Sequence, residues 1–354
     1  MKGLYIGLDL GRKECRYEVQ TDRGDKRERG GTAAFPETLR EILKRYQQAR
    51  VPVQVAFEAG PQMYWIDRLV KELGMDSYPF HAADFSDRRK RRNKTDKKDA
   101  ERIARAAAKE GLPDRVYIPG EEERRIREKI TEREAYKKGI VQKGNRLRGY
   151  AASAGLPLDA KPLRAIREWE KALRVFEGSE YEAAAKRLYR TVLADFQALE
   201  EVEEEIQALV GEGEMGRARK RLETIPGIGY WTATALLGWC GAKAWRFKKS
   251  RCASAYFGLV AKKYQSGTID HSGHITKEGP TVVRKLLIQA AWAFMRSEAG
   301  NKSRWGEWSR RRNGRSKDLR KKTTVGLARR LLTAAVACLR DETEWDPRVL
   351  EAGA

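Results

Sequence analysis

Short apolar runs separated by more polar segments predict a β-sheet in the first third of the chain. Residues 4–9 form one run, and residues 15–21 alternate in polarity as expected for its antiparallel hairpin partner. A second apolar run covers residues 53–58, and a short strand is expected at 77–81. Four strands are therefore predicted here.

Helical spacing of apolar residues separates these strands. Pro61–Leu73 fits an amphipathic helix, and the alanine-rich stretch from Thr95 predicts another helix that ends before Gly111. Because strands and helices are mixed, residues 1–115 are expected to form one α/β domain.

The composition changes between Glu121 and Gly211, where glutamate, arginine, lysine, alanine and leucine dominate. Apolar positions there step by three and four residues: Leu188, Val192, Phe196, Leu199, Val202, Ile206 and Leu209. This spacing predicts long helices that form a helical hairpin or coiled coil over residues 116–215. The segment is either a structural spacer or an oligomerisation arm.

A mainly helical domain is predicted for residues 216–354. It contains an irregular glycine- and serine-rich stretch at 264–280 and returns to helix at Val282–Arg296. A segment dense in lysine and arginine, Arg304–Lys322, precedes a last helix around Val325–Leu339.

The charge of the chain points to a polyanionic partner. The 354 residues carry a formal net charge of +23 at pH 7, and their hydrophobic share of 41% is that of a folded protein. Cations that neutralise phosphates release counterions, so nucleic acid is the expected partner.

Cysteine usage and hydropathy give an expected compartment. The four cysteines form no CxxC pair, which argues against a zinc ribbon or a redox dithiol. No signal-peptide pattern is seen, and no apolar stretch approaches the roughly 20 residues of a membrane span. A cytoplasmic, nucleoid-associated prokaryotic protein without a membrane partner is expected.

Four acidic residues of the first domain form the main candidate site. Asp9 and Glu58 each end an apolar strand, where a buried charge is costly unless a partner compensates it. Asp96 and Asp99 are three residues apart at the start of a helix and project from one face. Such acids can hold two magnesium ions, which stabilise the attacking and leaving oxygens of phosphoryl transfer. Strand-end acids with a helical aspartate are typical of RNase H-like nucleases.

Each acid also has a structural alternative. Asp96 would stabilise a helix N-terminus capped by Thr95, and Asp9 would fit a turn. The order of the four acids along the chain favours the metal site.

A basic run leads directly into the helical aspartates. It comprises Arg88, Arg89, Lys90, Arg91, Arg92, Lys94, Lys97 and Lys98. Such a run is usually a solvated surface, but its position beside the carboxylates predicts that it holds a phosphate backbone over the metal ions.

Two glycines of the C-terminal domain resemble part of a helix-hairpin-helix element. Gly227 and Gly229 lie in Ile-Pro-Gly-Ile-Gly before an apolar helix, where backbone N–H groups can approach a phosphate. An ordinary turn between packed helices is the alternative.

Ser266, next to a glycine, lies in an electropositive stretch that is predicted to be a loop. The basic residues near it are Lys262, Lys263, His271, His274 and Lys277. A serine hydroxyl in such surroundings can attack a phosphodiester if a base or a metal activates it. We expect phosphate contacts from Lys262, Lys263, His274 and Lys277.

The lysine- and arginine-dense segment also contains Trp305 and Trp308. Aromatic rings beside cations suit stacking on unpaired bases, and Arg310, Arg311 and Arg312 are predicted nucleic-acid contacts. In the alternative interpretation the tryptophans belong to the core.

Taken in order, the motifs resemble those of one family. They are Gly-Leu-Asp-Leu-Gly, Phe-Glu-Ala-Gly, Lys-Thr-Asp-Lys-Lys-Asp-Ala, Ile-Pro-Gly-Ile-Gly, Tyr-Phe-Gly-Leu-Val, Tyr-Gln-Ser-Gly and Gly-His-Ile-Thr-Lys-Glu-Gly. The chain resembles the DEDD insertion-sequence transposases related to the Piv invertases, which are bridge RNA-guided serine recombinases. The resemblance covers nearly the whole chain, and Lys94–Ala100 is its most specific part.

The resemblance implies a RuvC-like RNase H fold at the N-terminus, a helical coiled-coil connector and a C-terminal transposase domain. It places the metal-binding acids on Asp9, Glu58, Asp96 and Asp99, with Mg²⁺ or Mn²⁺ as the cofactor. It places the nucleophile on Ser266 and implies a 5′-phosphoserine intermediate.

The same resemblance implies the partners. A structured bridge RNA would pair with double-stranded target and donor DNA. The protein would act as a homo-oligomer, a dimer of dimers, in which the serine of one protomer meets the acids of another.

The chain departs from the family pattern near the serine. Thr268 stands two residues after Ser266, and Pro280 follows Lys-Glu-Gly. Residues 270–272 replace the arginines usual before Gly-His-Ile. Ser272 is therefore the alternative nucleophile.

Other functions fit parts of the sequence. A Holliday-junction-type nuclease would use the same acids with water as the nucleophile. An actin-like kinase would use Gly-Leu-Asp-Leu-Gly as a phosphate loop, but its later Asp-Gly and Gly-Gly loops are missing from suitable positions. A non-catalytic nucleic-acid-binding protein would keep the acids for structural reasons.

Overall fold

The chain divides into two compact units, Met1–Ile118 and Pro119–Ala354. The computed structural model describes residues 3–85, 96–247, 249–266, 269–313, 316–346 and 348. The first unit is mixed α/β, and the second is mostly helical. The three-part division at residues 115 and 215 stays a prediction.

The first unit is built around a five-stranded sheet. Its elements in chain order are β1 (Leu4–Leu10), β2 (Glu14–Thr21), β3 (Lys26–Ala33), α1 (Pro36–Gln47), β4 (Val53–Glu58), α2 (Met63–Glu72), β5 (Asp76–Phe80), α3 (Ala82–Phe85) and α4 (Asp96–Ala108). The strand order is β3-β2-β1-β4-β5; β1–β2 and β2–β3 are antiparallel, and β1–β4 and β4–β5 are parallel. The strands expected from the apolar runs are all present, and this mixed order is consistent with an RNase H-like fold.

Three elements of the first unit, β3, α1 and the four-residue α3, have no counterpart in the sequence prediction. β3 is a polar strand at the edge of the sheet that pairs through its backbone with β2, so it needs no apolar pattern. α1 starts with Pro36, whose missing N–H is harmless in a first turn. It buries Leu39, Ile42 and Leu43 at the spacing of an amphipathic helix.

Alternation along β1 and β4 gives the sheet two different faces. Leu4, Ile6 and Leu8 are buried in a core that also contains the apolar side chains of α1 and α2. The residues between them point to the opposite face. There, Ala56 of β4 packs with Ile103 of α4.

Gly7 sets the distance between β1 and α4. A Cβ at this position would lie 2.4 Å from the backbone oxygen of Ala100 and 2.4 Å from the backbone nitrogen of Ala104. Only a residue without a side chain lets the helix approach the strand so closely. The facing side of α4 is small as well, since both alanines are buried.

α4 runs antiparallel to β1 across this contact. Ala107, near the end of the helix, shares a cluster with Tyr5 near the start of β1. Ala100, one turn into the helix, lies over Gly7 instead. The start of α4 is therefore directed toward the carboxyl end of β1.

The second unit consists of helices and a β-hairpin. Its elements in chain order are α5 (Glu121–Ser153), α6 (Ile166–Arg174), α7 (Glu182–Val210), α8 (Gly213–Glu223), α9 (Tyr230–Cys240), α10 (Ser250–Tyr256), β6 (Ala261–Ser266), β7 (Ile269–Ile275), α11 (Thr281–Arg296), α12 (Glu298–Lys302), α13 (Arg304–Asn313) and α14 (Lys317–Arg340). The long helices predicted for the connector are present as α5 and α7. None of the helices that the structure describes has both the length and the apolar character of a membrane span.

The prediction of an irregular stretch at 264–280 is wrong for residues 264–266 and 269–275, which are parts of two strands. β6 and β7 pair there as antiparallel strands, with Ala261 opposite Ile275 and Lys263 opposite Ser272. The first four residues of β6 are exposed. Backbone hydrogen bonds hold such a hairpin without an apolar run, so its sequence gives little strand signal.

α5 and α7 are antiparallel and contribute to two cores. In the first core, Ile140 and Leu147 of α5 pack with Trp169 of α6 and Val192 of α7. The opposite ends of the two helices join the large core formed by α8 to α14, through residues that include Ile126, Ile130, Val202 and Ile206.

A buried ion cluster connects four helices of the second unit. Arg133 on α5 is 4% exposed; it donates from Nε to Glu203 of α7 at 2.7 Å and from Nη1 to Glu134 at 3.0 Å. Lys285 of α11 donates to Glu134 at 2.6 Å. The guanidinium carbon lies 3.5 Å from the ring centre of Trp231 on α9. Burial lowers the pKa of Arg133, and the two carboxylates oppose that shift.

We expect Gly7→Ala to destabilise the protein, because the added methyl group meets helix backbone rather than a movable side chain. Overpacking of this kind costs about 1–3 kcal/mol. Chemical denaturation of the full chain, followed by circular dichroism, measures the change. Gly60→Ala is the matched control, since a Cβ there has no heavy atom within 4 Å. Equal stability of the two variants would contradict the close approach of α4.

Loss of Arg133 should destabilise the protein far more than loss of an exposed cation. Arg133→Ala removes the buried cation that Glu134 and Glu203 share and leaves Glu134 to Lys285. Breaking a buried pair costs up to about 3–5 kcal/mol. Lys186→Ala, which breaks the exposed pair with Glu182, is the control and should change little. Calorimetric melting of both variants gives the comparison, and similar melting temperatures would rule out a structural role for the cluster.

Candidate active site

Asp9 and Glu58 end neighbouring parallel strands. β1 and β4 are in register at Leu8 and Phe57. The next residue of each strand is one of the two acids, so Asp9 and Glu58 stand side by side at the carboxyl edge of the sheet. The pairing across these strands could not be read from either apolar run alone.

Side chains alternate between the two faces of a sheet along each strand, so Asp9 and Glu58 both lie on the face that α4 covers. Gly7 lies directly beneath Ala100 of α4, and Asp9 is two residues farther along β1. Ala56 packs against α4, and Glu58 is two residues farther along β4. Both carboxylates therefore lie on the face of the sheet that α4 covers, at the edge where α4 begins.

The two carboxylates differ in their surroundings. Glu58 is exposed and forms no hydrogen bond or ion pair with another described residue. Asp9 is half-buried. Burial, and to a lesser degree the charge of Asp9, raises the pKa of the Cys15 thiol to about 12. Cys15 is 1% exposed and lies in the apolar core on the other face of the sheet.

The helical acids are only partly described. α4 begins at Asp96, and Asp99 lies in its first turn, 34% exposed and 4.0 Å from the guanidinium of Arg102. The side chains of Asp96, Lys97 and Lys98 lie outside the described residues. Among the side chains that are described, no group of three histidine, cysteine, aspartate or glutamate residues comes close enough to hold a metal ion.

The described residues suit a divalent metal in chemistry and partly in arrangement. Carboxylate oxygens are the donors that Mg²⁺ and Mn²⁺ accept. Asp9 and Glu58 supply two such groups side by side, and the start of α4 is directed to the same edge.

Ion pairs hold α4 in its position over the sheet. Arg29 of β3 donates from Nε to Glu18 of β2 at 2.5 Å and also pairs with Glu101 of α4. Glu18 is 1% exposed, so its charge would be costly without this partner. One arginine thus connects two strands to the helix that carries Asp99.

His81 is a residue of this edge that the sequence analysis missed. Glu58 and Phe80 are paired in register between β4 and β5, and His81 follows Phe80 directly. Its side chain is exposed. The signal was the same as for the acids, a polar residue placed at the end of a strand.

The basic run before α4 cannot be placed beside the acids from the described residues. Its members Arg88, Arg89, Lys90, Arg91, Arg92 and Lys94 lie outside them. Their contact with a phosphate backbone stays a prediction.

Ser266 is the last residue of β6 and does not lie in a loop, which corrects the expectation. It pairs with Ile269 of β7, and the alternative nucleophile Ser272 pairs with Lys263. The strand signal is weak because the hairpin is polar and held by its backbone. The side chains of both serines lie outside the described residues.

The cations expected near the serine are exposed where they are described. Lys262 and Lys263 lie on β6, and His274 lies on β7. Lys277 has a φ of 59°, a left-handed conformation that is uncommon for a residue with a side chain. Phosphate contacts by these four residues stay a prediction.

Gly227 has a packing role in this structure. Its φ is 85°, and a Cβ would lie 2.5 Å from the oxygen of Ala290 and 2.6 Å from the nitrogen of Phe294 on α11. Gly229, by contrast, is the exposed N-cap residue of α9. The turn between packed helices explains Gly227, and a phosphate contact of either glycine stays a prediction.

Of the two interpretations of the tryptophans in the basic segment, the structure favours the core for Trp305, and Trp308 is partly buried against that core. Trp305 is 3% exposed and lies 5.2 Å from Trp345, measured between ring centres. Trp308 packs against the same core. The buried ring of Trp305 is not placed to stack on an unpaired base.

The three arginines at the end of α13 are exposed. Arg310 donates to Asn301, and Arg311 pairs with Glu307 of its own helix. Arg312 lies over the ring of Trp308 at 5.5 Å. Their nucleic-acid contacts stay a prediction.

Comparison with known proteins assigns the family. A model of the IS116/IS110/IS902 transposase family matches residues 219–306, and a DEDD transposase model of IS110 elements matches residues 6–153. The putative transposase y4rJ of Sinorhizobium fredii is 33% identical over 320 residues, which cover 82% of this chain and 79% of that protein. The chain belongs to the IS116/IS110/IS902 family of transposases. Its function is therefore in DNA transposition.

Further relatives of this transposase share most of its length. The transposase for insertion sequence element IS1328 of Yersinia enterocolitica is 25% identical over 308 residues, covering 86% of this chain and 87% of that protein. The pilin gene-inverting protein of Moraxella bovis is 24% identical over 263 residues, covering 73% and 70%. The resemblance drawn from the motifs is confirmed at the level of the family. Membership in a DEDD transposase family also supports dependence on a divalent metal.

We expect Asp9→Asn and Glu58→Gln each to weaken Mn²⁺ binding, because each removes a carboxylate donor from the same edge. The loss should be about tenfold or more in affinity, since even residues that merely support metal ligands change affinity by that factor. Electron paramagnetic resonance of free Mn²⁺ measures this without DNA. Glu72→Gln, at an exposed acid paired with Arg40, is the control. Unchanged affinity in both strand-end variants would contradict the metal site.

Proposed function

We propose that this transposase cuts and rejoins double-stranded DNA with a divalent-metal site and a serine nucleophile. The metal ligands are Asp9, Glu58, Asp96 and Asp99, and the nucleophile is Ser266. The observation that supports this most directly is the placement of Asp9 and Glu58 side by side on the face that α4 covers. α4 begins at the same edge.

The acids would hold the metal from two sides. Asp9 and Glu58 would bind it from the sheet, and Asp96 and Asp99 from the helix. A bound Mg²⁺ or Mn²⁺ would neutralise charge on the phosphate that is attacked. The link from Arg29 to α4 keeps the helix in register with the sheet.

The serine would exchange phosphodiester bonds without water. As the bond between Ser266 Oγ and phosphorus forms, the bond from phosphorus to the DNA 3′ oxygen breaks. The serine proton is transferred, in the net reaction, to that leaving oxygen, which becomes a 3′ hydroxyl. The 5′ phosphate stays on the serine. Attack by the 3′ hydroxyl of another strand then joins the strands and restores the serine.

A structured RNA would select the DNA sites by pairing with target and donor. The net charge of +23 is consistent with a polyanionic partner of this kind. The resemblance of the motifs to those of bridge RNA-guided recombinases supports the same partner. We propose a dimer of dimers, which is the assembly that the resemblance of the motifs implies. A serine from one protomer would then act on a phosphate held by another.

Substitution of the proposed ligands and nucleophile tests the mechanism. The purified protein with its co-purifying RNA is assayed on labelled target and donor DNA. Ser266→Ala and Asp9→Ala should each lower recombination by about 10³-fold or more, as expected for loss of a nucleophile or an essential metal ligand. Ser266→Ala should also abolish the covalent protein–DNA adduct. Ser272→Ala should keep the adduct, and ribonuclease treatment should stop recombination.

Other outcomes would replace parts of the mechanism. Cleavage by Ser266→Ala with a free 5′ phosphate would favour the Holliday-junction-type nuclease with water as nucleophile. A phosphoserine found by mass spectrometry at Ser272 would move the nucleophile. Full activity of Asp9→Ala and Asp99→Ala would remove the metal site altogether.

A further inference from the structure

Trp292 is a large aromatic side chain on the surface of the second unit. Its side chain is 38% exposed, whereas Trp305 is buried in the core and Trp308 is partly buried against it. A single exposed apolar residue is common and needs no explanation by itself. The residues around Trp292 distinguish it from other exposed apolar side chains.

Trp292 lies in an open cavity with two arginines. The cavity has a volume of about 460 Å³ and is lined by Trp292, Met295, Arg296 and Arg320. The first three residues come from α11, and Arg320 comes from α14. Cavities of this size suit a small organic group, which here meets an indole and two guanidinium groups.

The two arginines give the cavity positive charge that no described carboxylate offsets. Arg296 and Arg320 are exposed, and neither forms an ion pair with a described residue. Glu298, an acid close to Arg296 in sequence, is instead paired with Lys302 at 2.6 Å. Arg296 Nε donates to the main-chain carbonyl oxygen of Trp292, one turn earlier on α11, at 3.3 Å.

We propose that this cavity binds an unpaired nucleotide of single-stranded nucleic acid. The base would stack on the indole of Trp292, and the flanking phosphates would contact Arg296 and Arg320. Aromatic stacking and cationic contacts to the backbone are the two components of single-strand recognition. A duplex does not present free base faces, so its binding does not use the indole.

The proposal rests on the nucleic-acid function of the transposase but not on the identity of its nucleophile. A nucleotide of this kind can belong to the guide RNA or to a displaced DNA strand. The shared chemistry is a base face next to phosphates. Binding to deoxythymidine and uridine oligonucleotides separates the two sources.

The test compares binding of four probes to the full chain. They are a single-stranded thymidine oligonucleotide of about 16 residues, an abasic strand of the same length, a uridine oligonucleotide and a DNA duplex. Trp292→Ala should weaken binding of the thymidine or the uridine strand about fivefold to 100-fold, the loss expected for one stacked base. It should leave the abasic strand and the duplex unchanged, and Trp292→Phe should restore most of the affinity.

The arginines should give a different signature from the indole. Arg320→Ala should weaken binding of the thymidine and abasic strands alike, because it removes a phosphate contact. The slope of log affinity against log salt is negative, and Arg320→Ala should reduce its magnitude by about 0.7, the value for one phosphate of a single strand. Trp292→Ala should not change that slope.

Two variants outside the cavity serve as controls. Trp245→Ala removes a tryptophan that is 68% exposed, and Arg329→Ala removes an exposed cation elsewhere on α14. Both should keep the preference for thymidine over abasic strands. Ser266→Ala should keep it too, so a failure of the serine mechanism would not be confused with a failure of this proposal.

Two results would overturn the proposal. One is equal binding of thymidine and abasic strands by the wild-type chain and by Trp292→Ala. The other is unchanged single-strand binding by Trp292→Ala together with an altered oligomeric state in light scattering, which would assign the cavity to a protein contact.

Discussion

The close approach of α4 to β1 at Gly7 is the contact on which the candidate active site depends. Because Gly7 has no side chain, the backbone of Ala100 and Ala104 reaches the strand directly. The helix is thereby fixed over the face that carries Asp9 and Glu58. A larger residue at position 7 would push α4, and with it Asp99, away from β1. One missing methyl group therefore governs the arrangement of side chains far along the chain.

Buried charges position the helices in both units. In the first unit, Arg29 compensates the buried Glu18 and reaches Glu101 of α4. In the second unit, Arg133 compensates Glu134 and Glu203 between α5 and α7. A buried ion pair often adds little net stability, but an unpaired charge in its place is strongly unfavourable. A helix that shifted from its native position would leave one of these buried charges unpaired. The clusters therefore act mainly by disfavouring shifted helix positions and contribute less to the stability of the native one.

The part of the structure that follows from local patterns could be predicted, and the part that follows from pairing could not. Apolar runs identified β1 and β4 and placed Asp9 and Glu58 at strand ends. Their position side by side required knowing that the two strands are parallel neighbours, which no local pattern contains. β3 and the β6–β7 hairpin were missed because polar strands are held by their backbones. Whether Trp305 and Trp308 pack with the core or stack on bases could be decided only from their burial, because cations next to them in the sequence fit both roles.

The two proposed halves of the active site differ in mechanical character. The strand acids lie at the end of a five-stranded sheet with a buried apolar core beneath it. Ser266 instead lies on a polar hairpin whose exposed residues make few apolar contacts, with Ile275 at its far end packed against the core. Segments with few buried apolar contacts open at lower free energy than core elements. In the mechanism proposed above, the metal site needs fixed donors, which the strand acids on the packed sheet would supply. The proposed nucleophile would have to reach a phosphate held by another protomer, and a hairpin with little apolar burial suits that demand.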